Sequence, residues 1–371
     1  MISRPAKDAM KVGDIFAGRY LILEEIGYGG FALVFKAQDL SSTAKTKPFV
    51  ALKVMQMDLD STPEERLKTE QSLNLEKDAL AKFSFSENVV GLKNFAQIDS
   101  YFYMVLELVD GKQNFSQIFQ HYFSQLSTRE IIYYFSQIAQ GLSEIHNAGI
   151  THRDIKPGNI MVTKDEVVKI SDFGIARFLD ILKYDNPVFE SFQGTPKFAS
   201  PEQSWDFKTS YTQSDIYSVG IMLYEFSTGV APFEQFVIFP KTNKGDNQKH
   251  RYILNQQIRE EIVRPRVFNP NIPQALENII VKALAKDVND RFATFKEFTD
   301  ELQHILDNNN AKELPLFSEI KDKKFVSKQL QKSREFKYKL FFKMFEKKII
   351  IPFWILIVVV FLVLVILVLA G

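Results

Sequence analysis

Two short segments of the sequence carry the side chains that a phosphate transfer would need. Residues 152–159 (HRDIKPGN) supply the carboxylate of Asp154, the ammonium group of Lys156 and the amide of Asn159. Asp172, in residues 172–174 (DFG), adds a second carboxylate. Phosphoryl transfer from a magnesium-bound nucleotide depends on in-line positioning and charge neutralisation more than on covalent chemistry. The residue types and their spacing therefore indicate phosphoryl transfer.

The elements that would position these groups begin with two β-rich stretches. Residues 19–27 (RYLILEEIG) and 31–38 (FALVFKAQ) alternate as strands do, and a glycine-rich turn separates them. A dinucleotide-binding turn would lead into a helix, whereas here a second strand follows. A glycine-rich hairpin remains, in which backbone N–H groups can approach phosphate oxygens closely. A third apolar strand, residues 50–53 (VALK), ends in Lys53.

The order of these segments resembles the protein kinase family over residues 20 to about 305. The sequence of residues 194–203 (GTPKFASPEQ) is similar to the corresponding motif of bacterial Ser/Thr kinases of the eukaryotic type. A lysine two residues after Asp154, here Lys156, also resembles the pattern of Ser/Thr kinases rather than that of tyrosine kinases. Two positions depart from the family pattern: Ala32 stands where a third glycine is usual, and Ser200 where alanine is usual.

The resemblance implies a role for each catalytic residue. Asp154 would orient the substrate hydroxyl and accept its proton, and Lys156 would steady the transferred phosphoryl group. Asn159 and Asp172 would hold Mg²⁺, with Mn²⁺ as an alternative metal. Lys53 would grip the α- and β-phosphates of ATP.

Lys53 would need a carboxylate to hold it, and residues 64–83 have the pattern of an acidic helix. Glu76 is the expected partner because it shares a helical face with Leu80 and Phe83. Glu70 is the alternative.

The resemblance also implies an adenine pocket in residues 101–111 (YFYMVLELVDG), interpreted as the hinge. Leu106 would lie at its back, the backbones of Glu107 and Val109 would meet the adenine edge, and Met161 would form the floor. The nucleotide-contacting residues implied in this way are Ile26, Gly27, Tyr28, Gly29, Gly30, Phe31, Ala32, Leu33, Val34, Ala51, Lys53, Leu106, Glu107, Val109 and Met161.

Residues 174–202 resemble the activation segment that receives a polypeptide substrate. Thr195 would contact the catalytic Asp and Lys and favour hydroxyl substrates. Arg153 could pair with a phosphate on this segment, and Ser191 is the candidate acceptor. Phe173, just before it, would pack against the helix that carries Glu76.

Three further positions complete the resemblance. Glu202 is expected to pair with Arg291, and Asp215 to accept hydrogen bonds from the backbone of the 152–153 turn, although a plain helix N-cap is the other interpretation of Asp215.

Residues 236–251 are polar and predict a surface loop.

Composition bounds the compartment and the partners. The hydrophobic share of 46% supports a substantial core, and 0 Cys exclude disulfides and thiolate metal sites. The net charge of +1 conceals a local excess, because residues 319–348 contain 11 Lys or Arg against 4 Asp or Glu. A basic patch confined to one segment argues against a nucleic-acid surface spread over the fold, so no nucleic-acid partner is expected.

The C-terminal stretch predicts a membrane anchor. No residue from Ile349 to Gly371 is charged, and roughly 22 apolar residues at 1.5 Å each span about 33 Å, close to the hydrocarbon thickness of a bilayer. Lys343, Lys347 and Lys348 precede this stretch, which by the positive-inside rule places the N-terminal bulk in the cytoplasm. A buried core helix is the alternative. The basic segment before it is either a solvated linker or an amphipathic helix on anionic lipid.

The expected fold class is α+β: a two-lobed protein kinase fold with a small antiparallel sheet and one main helix in the N-lobe, a mostly helical C-lobe, and a single transmembrane helix. The predicted divisions are an N-terminal extension (1–18), the kinase domain (19–305, with lobes 19–108 and 109–305), a basic juxtamembrane linker (306–348) and the transmembrane helix (349–370).

The resulting hypothesis is an ATP- and Mg²⁺-dependent Ser/Thr protein kinase that acts on proteins at the cytoplasmic face of a membrane and self-associates for autophosphorylation. A nucleotide-binding pseudokinase scaffold is the first rival, and a missing Lys, Asp or Asn would favour it. A kinase-fold enzyme acting on a small molecule is the second. Such enzymes usually lack the segment at residues 194–202, which is present here.

Overall fold

The computed structural model describes most of the first 308 residues. The described residues are 2–3, 5, 10–28, 32–43, 48–57, 62–111, 113–122, 126–172, 196–205, 211–233 and 243–308. Residues 309–371, which contain the predicted anchor and most of the predicted linker, lie outside them. Among the described residues, no helix has both the length and the apolar composition needed to cross a bilayer.

The N-terminal part is an antiparallel sheet with one long helix. Its strands, in chain order, are β1 (Ile2–Ser3), β2 (Ile15–Phe16), β3 (Tyr20–Tyr28), β4 (Leu33–Asp39), β5 (Phe49–Met57), β6 (Leu92–Ile98) and β7 (Tyr101–Glu107), and α1 (Pro63–Ala81) joins β5 to β6. The strand order is β2-β3-β4-β5-β7-β6, and β1 adds to β5. β1 pairs with residues 56–57 of β5, beyond the point where β4 stops pairing. The N-terminal extension is therefore part of this sheet.

Strand alternation gives the sheet two different faces. Leu33, Val54 and Tyr103 are register partners on adjacent strands and belong to an outer apolar cluster with Met10 and Tyr20. One residue further along, Val34, Lys53 and Met104 are partners. Because successive side chains in a strand point to opposite faces, this row faces away from the outer cluster. The position of Lys53 on that face follows from the register of β4 and β5.

The C-terminal part is mostly helical. Its elements are β8 (Gln113–Asn114), α2 (Phe115–Tyr122), α3 (Thr128–Asn147), β9 (Ile160–Val162), β10 (Val168–Ile170), α4 (Pro201–Trp205), α5 (Thr212–Thr228), α6 (Asn243–Arg259), α7 (Pro265–Phe268), α8 (Gln274–Ala283) and α9 (Phe295–Asn308), with 3-10 turns at Pro157–Asn159, Pro196–Phe198 and Val288–Asp290. The order β10-β9-β8 forms a small second sheet. The two-lobed arrangement expected from the sequence is present.

Two helices organise this lobe. The helix α3 starts in a capping box, in which the Ser127 hydroxyl accepts from the Glu130 N–H and the Glu130 carboxylate accepts from the Ser127 N–H. The helix α5 is buried on all sides from Ser214 to Ser227, as a helix surrounded by others must be. A Cβ on Gly220 would lie 2.9 Å from that of Ala283, so this glycine permits the close approach of α8.

One local prediction is wrong. The polar residues 236–251 predict a surface loop, but from Asn243 onward they belong to the helix α6, which continues to Arg259. Residues 236–242 lie outside the described part of the chain. Ile253 and Leu254 are buried, so tertiary packing of its later turns stabilises a helix whose first turns have low intrinsic propensity.

Candidate active site

Lys53 and Asp172 connect the two lobes. Lys53 Nζ lies 3.0 Å from Asp172 Oδ1. Asp172 follows β10 closely and has a φ of 57°, a left-handed conformation that Asp and Asn adopt more readily than most residues. The positive charge of Lys53 is the main reason that the pKa of Asp172 lies below its usual value. The carboxylate is therefore ionised at neutral pH.

Residues 152–159, called the catalytic turn below, bring Lys156 and Asn159 within hydrogen-bonding distance of Asp154. Lys156 Nζ is 2.7 Å from Asp154 Oδ2, and the Asn159 amide donates to the same oxygen at 3.1 Å and to the Asp154 carbonyl at 2.8 Å. It also approaches the Asp172 carbonyl at 3.5 Å. The predicted residues Asp154, Lys156, Asn159 and Asp172 thus converge, with Lys53 joined to them through Asp172.

These residues fit a divalent metal ion of the Mg²⁺ type. Mg²⁺ prefers oxygen ligands, usually one or two carboxylates completed by water and substrate phosphates. The Asp172 side chain is half-exposed and ionised. The Asn159 NH₂ group points at Asp154, which leaves the amide oxygen for a different direction. Asp172 and Asn159 would therefore hold the metal, as the sequence predicts.

The Asp215 carboxylate accepts hydrogen bonds from two backbone N–H groups of the catalytic turn. Its Oδ2 accepts from the His152 N–H at 2.8 Å, and its Oδ1 from the Arg153 N–H at 2.9 Å. The φ of Arg153 is 69°, a left-handed conformation with a cost of order 1–3 kcal/mol that the surroundings must offset. Burial alone would raise the pKa of Asp215, but hydrogen bonds and charges from His146 and His152 hold the pKa below its usual value. The expected contact is present, and Asp215 is the third residue after the helix start rather than a cap.

His152 is completely buried beside the catalytic turn. Burial lowers the pKa of its imidazole, against the opposing charges of Asp215, Asp154 and Asp172. Nε2 lies 3.1 Å from the Ser171 carbonyl, and Nδ1 is 3.4 Å from the Asp154 N–H. A neutral ring with its proton on Nε2 satisfies both contacts. His152 therefore links the catalytic turn to Ser171, which follows β10.

Glu202 and Arg291 form the expected buried pair. The two guanidinium NH₂ groups lie 2.9 and 2.8 Å from the two carboxylate oxygens. Arg291 also donates to the carbonyls of Ala285, Gln213 and Lys286. Burial opposes ionisation of Glu202, but this pairing keeps the pKa of its carboxyl below the usual value. The pair ties the end of the activation segment to the turn before α9.

The predicted nucleotide-contacting residues are distributed over the sheet as follows. Gly27 pairs with Val34, which pairs with Lys53, and Ala51 pairs with Leu106. These positions lie in the row that faces away from the outer cluster or two residues from it. Ile26 is exposed, Ala32 and Val109 are buried, and Met161 lies on β9.

Leu33 requires a correction. Its side chain is 2% exposed within the outer cluster, on the opposite face of the sheet from Lys53. The side chain of Leu33 therefore does not face the nucleotide side, because a strand reverses its side-chain direction at each residue.

Several predicted residues fall outside the described part of the chain. These are Gly29, Gly30, Phe31, Phe173, Ser191 and Thr195, together with the side chains of Tyr28 and Glu76, whose backbones lie in β3 and α1. Their predicted roles remain predictions.

A contact between β10 and the last residue of β7 was not predicted from the sequence. Lys169 Nζ lies 2.9 Å from Glu107 Oε2 and 3.2 Å from the Ser86 carbonyl. Lys169 is a buried cation three residues before Asp172. A lysine between the two apolar residues of β10 gives no sign in the sequence of a carboxylate partner. The contact of His146 Nε2 with Asp215 Oδ2, at 2.8 Å, was not predicted either. A histidine at the end of a helix is equally compatible with an ordinary core residue.

Comparison with known proteins agrees with this geometry. Residues 20–305 match the family model of the protein kinase domain. The chain belongs to the protein kinase domain family. Its two-lobed fold is that of a protein kinase domain.

Curated relatives are named as serine/threonine-protein kinases. The chain is 34% identical over 295 residues to a probable serine/threonine-protein kinase PknB of Lactococcus lactis, covering 79% of this chain and 43% of the relative. It is 30% identical over 307 residues to the serine/threonine-protein kinase PrkC of Bacillus subtilis, covering 82% and 43%. The chain therefore spans less than half the length of these relatives.

A solved structure supports the fold. The crystal structure of the Mycobacterium tuberculosis PknI kinase domain aligns with a TM-score of 0.56 at 20% identity, covering 80% of this chain and 99% of that one.

Proposed function

We propose that this chain is an ATP- and Mg²⁺-dependent Ser/Thr protein kinase, which transfers the γ-phosphoryl group of ATP to Ser or Thr hydroxyls of proteins. The observation that carries the proposal is the convergence of Lys53, Asp154, Asn159 and Asp172. Lys53 lies 3.0 Å from the Asp172 carboxylate, and the Asn159 amide lies 3.1 Å from the Asp154 carboxylate and 3.5 Å from the Asp172 carbonyl. Named Ser/Thr kinases among the relatives and Lys156 beside Asp154 support hydroxyl substrates.

Each residue would contribute a positioned charge. Lys53 would bind phosphate oxygens of ATP, and Asp154 would orient the attacking hydroxyl and take its proton. Lys156, 2.7 Å from Asp154, would stabilise the charge on the transferred group. When bound between Asp172 and Asn159, Mg²⁺ supplies charge neutralisation at the phosphates.

The experiment is transfer of radiolabel from the γ-phosphate of ATP, with Mg²⁺, to dephosphorylated casein, followed by phosphoamino-acid analysis. We expect label on Ser and Thr. Asp154→Asn should lower kcat by a factor of about 10² to 10⁴, because a positioned general base contributes that range. Asp165→Asn, which changes an exposed carboxylate of the β9–β10 turn, is the matched control and should keep full activity.

Two results would overturn this proposal. Nucleotide binding without transfer under any divalent metal would favour a pseudokinase scaffold. Transfer to small hydroxylated molecules but not to protein would favour a small-molecule kinase.

We further propose that residues 349–370 anchor the kinase to a membrane, with the described part in the cytoplasm. The absence of charge from Ile349 to Gly371 and the lysines at 343, 347 and 348 support this. Confinement to a surface raises the effective concentration of one copy beside another, which would promote autophosphorylation between copies. Ser191 is the proposed acceptor, and Arg153 the proposed partner of its phosphate.

The anchor is tested by flotation of the full chain with lipid vesicles. Changing Val359, Val360 and Phe361 together to Arg places three charges near the centre of the stretch, at a cost of about 2.5–3.5 kcal/mol each, and should abolish flotation. The control changes Ala311, Leu314 and Phe317 together to Arg, which adds the same charge outside the apolar stretch and should float like the unaltered chain. Equal flotation of both variants would contradict insertion of residues 349–370 into the bilayer.

A further inference from the structure

The 3-10 turn at Pro196–Phe198 is held by buried side chains from two helices. Gln257 of α6 donates from Nε2 to the Lys197 carbonyl at 2.9 Å. Ser218 of α5 donates to the Phe198 carbonyl at 2.8 Å, and Lys197 Nζ lies 2.5 Å from Glu225 Oε1. This turn, called the 196–198 turn below, directly follows Thr195 in the sequence.

The contact of Gln257 with the 196–198 turn is made by a buried polar side chain. Its side chain is fully buried, and an amide in that position must satisfy both of its ends. The carbonyl oxygen accepts from the Tyr217 hydroxyl at 2.5 Å. Burial raises the pKa of Tyr217 above its usual value, so the hydroxyl keeps its proton and remains a donor. Gln257 can therefore point its NH₂ group at the Lys197 carbonyl.

The helix that carries Gln257 is itself fixed at this end. Lys286 Nζ donates to the Gln257 carbonyl at 2.7 Å and approaches the Gln256 carbonyl at 3.4 Å. A cation at the last carbonyls of a helix is favourable because the C-terminal end carries partial negative charge. The backbone at Gln257 is therefore fixed by Lys286, and the side-chain oxygen by Tyr217, through contacts that do not involve the 196–198 turn.

The same stretch of chain is also linked to the catalytic turn. Gln203, five residues beyond Phe198, approaches the Arg153 carbonyl from Nε2 at 3.4 Å. Arg153 adjoins Asp154, and its N–H is bound to Asp215. The 196–198 turn thus lies between a link to the catalytic turn on one side and Gln257 on the other. If residues 194–202 receive the polypeptide, as the proposed function requires, a displacement of this turn would move the polypeptide relative to Asp154.

We propose that Gln257 is a positioning residue for the protein substrate: through the Lys197 carbonyl it fixes the 196–198 turn against which the polypeptide binds. This inference rests on the proposed protein kinase function. It assigns a role in substrate recognition to a residue of α6, a helix outside the segments that supply the catalytic groups. The nucleotide side of the site, built on Lys53 and Asp172, does not depend on this contact.

The test uses Gln257→Met, which keeps the length of the side chain and removes both hydrogen-bonding ends. Gln256→Met, on the neighbouring half-buried residue of the same type, is the matched control. The full chain is assayed with Mg-ATP and dephosphorylated casein at pH 7. Burial lowers the pKa of Lys286 to about 8, so its ammonium group remains mostly protonated at that pH.

We expect Gln257→Met to raise KM for casein about tenfold, since an unpaired buried carbonyl costs about 1–3 kcal/mol. KM for ATP and the rate of ATP hydrolysis without casein should remain within about twofold of the unaltered chain. Gln256→Met should change neither KM.

A merely structural role would give a different pattern. Equal losses with casein and with ATP alone, or an unchanged KM for casein in the folded Gln257→Met variant, would overturn the inference. If that variant does not fold, Tyr217→Phe, which removes the donor to Gln257, is measured in its place with the same expected split. An unaltered chain that transfers no phosphate to casein or to itself would instead refute the proposed function, and the inference would fall with it.

Discussion

Lys53 Nζ and Asp172 Oδ1 lie 3.0 Å apart although 119 residues separate them in the chain. Lys53 belongs to the central strand of the N-terminal sheet, and Asp172 follows the small sheet of the helical lobe. A contact of this kind joins the two lobes at the point where phosphate and metal would lie. The side chains of the proposed ATP site therefore come from parts of the chain that are distant in sequence.

Substitution of Lys53 should remove phosphate binding without disturbing the fold. Lys53→Met keeps the aliphatic stem and loses the charge, so kcat/KM should fall by a factor of about 10² to 10³, the usual effect of removing one positioned electrostatic group. Steady-state kinetics with varied ATP measure this loss. Lys93→Met, at an exposed position of β6, should have no effect, and a similar loss in Lys93→Met would contradict the account.

Breaking the Glu202–Arg291 pair from one side should destabilise the protein. Arg291→Met leaves the Glu202 carboxylate buried without its main partner, at a cost of about 3–5 kcal/mol in the free energy of unfolding. Urea denaturation measures this change. Lys296→Met removes an exposed ion pair with Asp300 and should change stability by less than about 0.5 kcal/mol. Equal effects of the two substitutions would show that burial of the pair is unimportant.

Asp215→Asn should impair the catalytic turn more than nucleotide binding. The amide can accept through one oxygen, whereas the carboxylate accepts backbone N–H groups through both. Loss of a charged hydrogen bond costs about 1.5–3 kcal/mol, so kcat should fall at least tenfold while the Kd for ATP changes little. Asp290→Asn, at an exposed position, is the control. A variant with normal kcat would mean that the turn keeps its conformation without Asp215.

The buried His152 predicts a pH dependence of stability. Its pKa in the folded state lies below the ordinary value of about 6.5, so between these two values the unfolded chain binds more protons than the folded one. The stability that depends on a neutral His152 imidazole is therefore fully present above pH 6.5 and is lost as the pH falls through the folded-state pKa of this residue.

Urea denaturation at about pH 7.5, 6.5 and 5.5 tests this expectation. His152→Gln cannot take up a proton in that range, so its stability should fall less steeply with decreasing pH than that of the unaltered chain. His304→Gln, at an exposed position of α9, should keep the original slope. Parallel slopes for all three proteins would contradict a buried neutral imidazole.

The sequence predicted that Asp154, Lys156, Asn159 and Asp172 lie together, because the order and spacing of their segments resemble the protein kinase family, and the structure brings these residues together. Strand alternation likewise predicted β3, β4 and β5 to within a few residues. It could not decide which face of β4 meets the nucleotide, because a shift of one residue reverses every side chain. Leu33 shows this limit, since it lies in the outer cluster rather than on the face of Lys53.

Contacts made by tertiary packing were beyond local patterns. The polar residues around position 245 suggest a loop, yet α6 covers Asn243–Arg259 and supplies the buried Gln257. Met10, in the N-terminal extension, is 8% exposed within the outer cluster, although no periodicity precedes it. Such residues gain their positions from elements that are far away in the chain, so only coordinates identify them.

The central claim is that Lys53, Asp154, Asn159 and Asp172 surround a single nucleotide and its metal. The most direct measurement is a crystal structure with a non-hydrolysable ATP analogue and Mn²⁺, whose anomalous signal locates the metal. We expect an anomalous peak in contact with carboxylate oxygens of Asp172 and the amide oxygen of Asn159, with phosphate oxygens bound to Lys53. A metal and triphosphate bound elsewhere, away from these side chains, would contradict it.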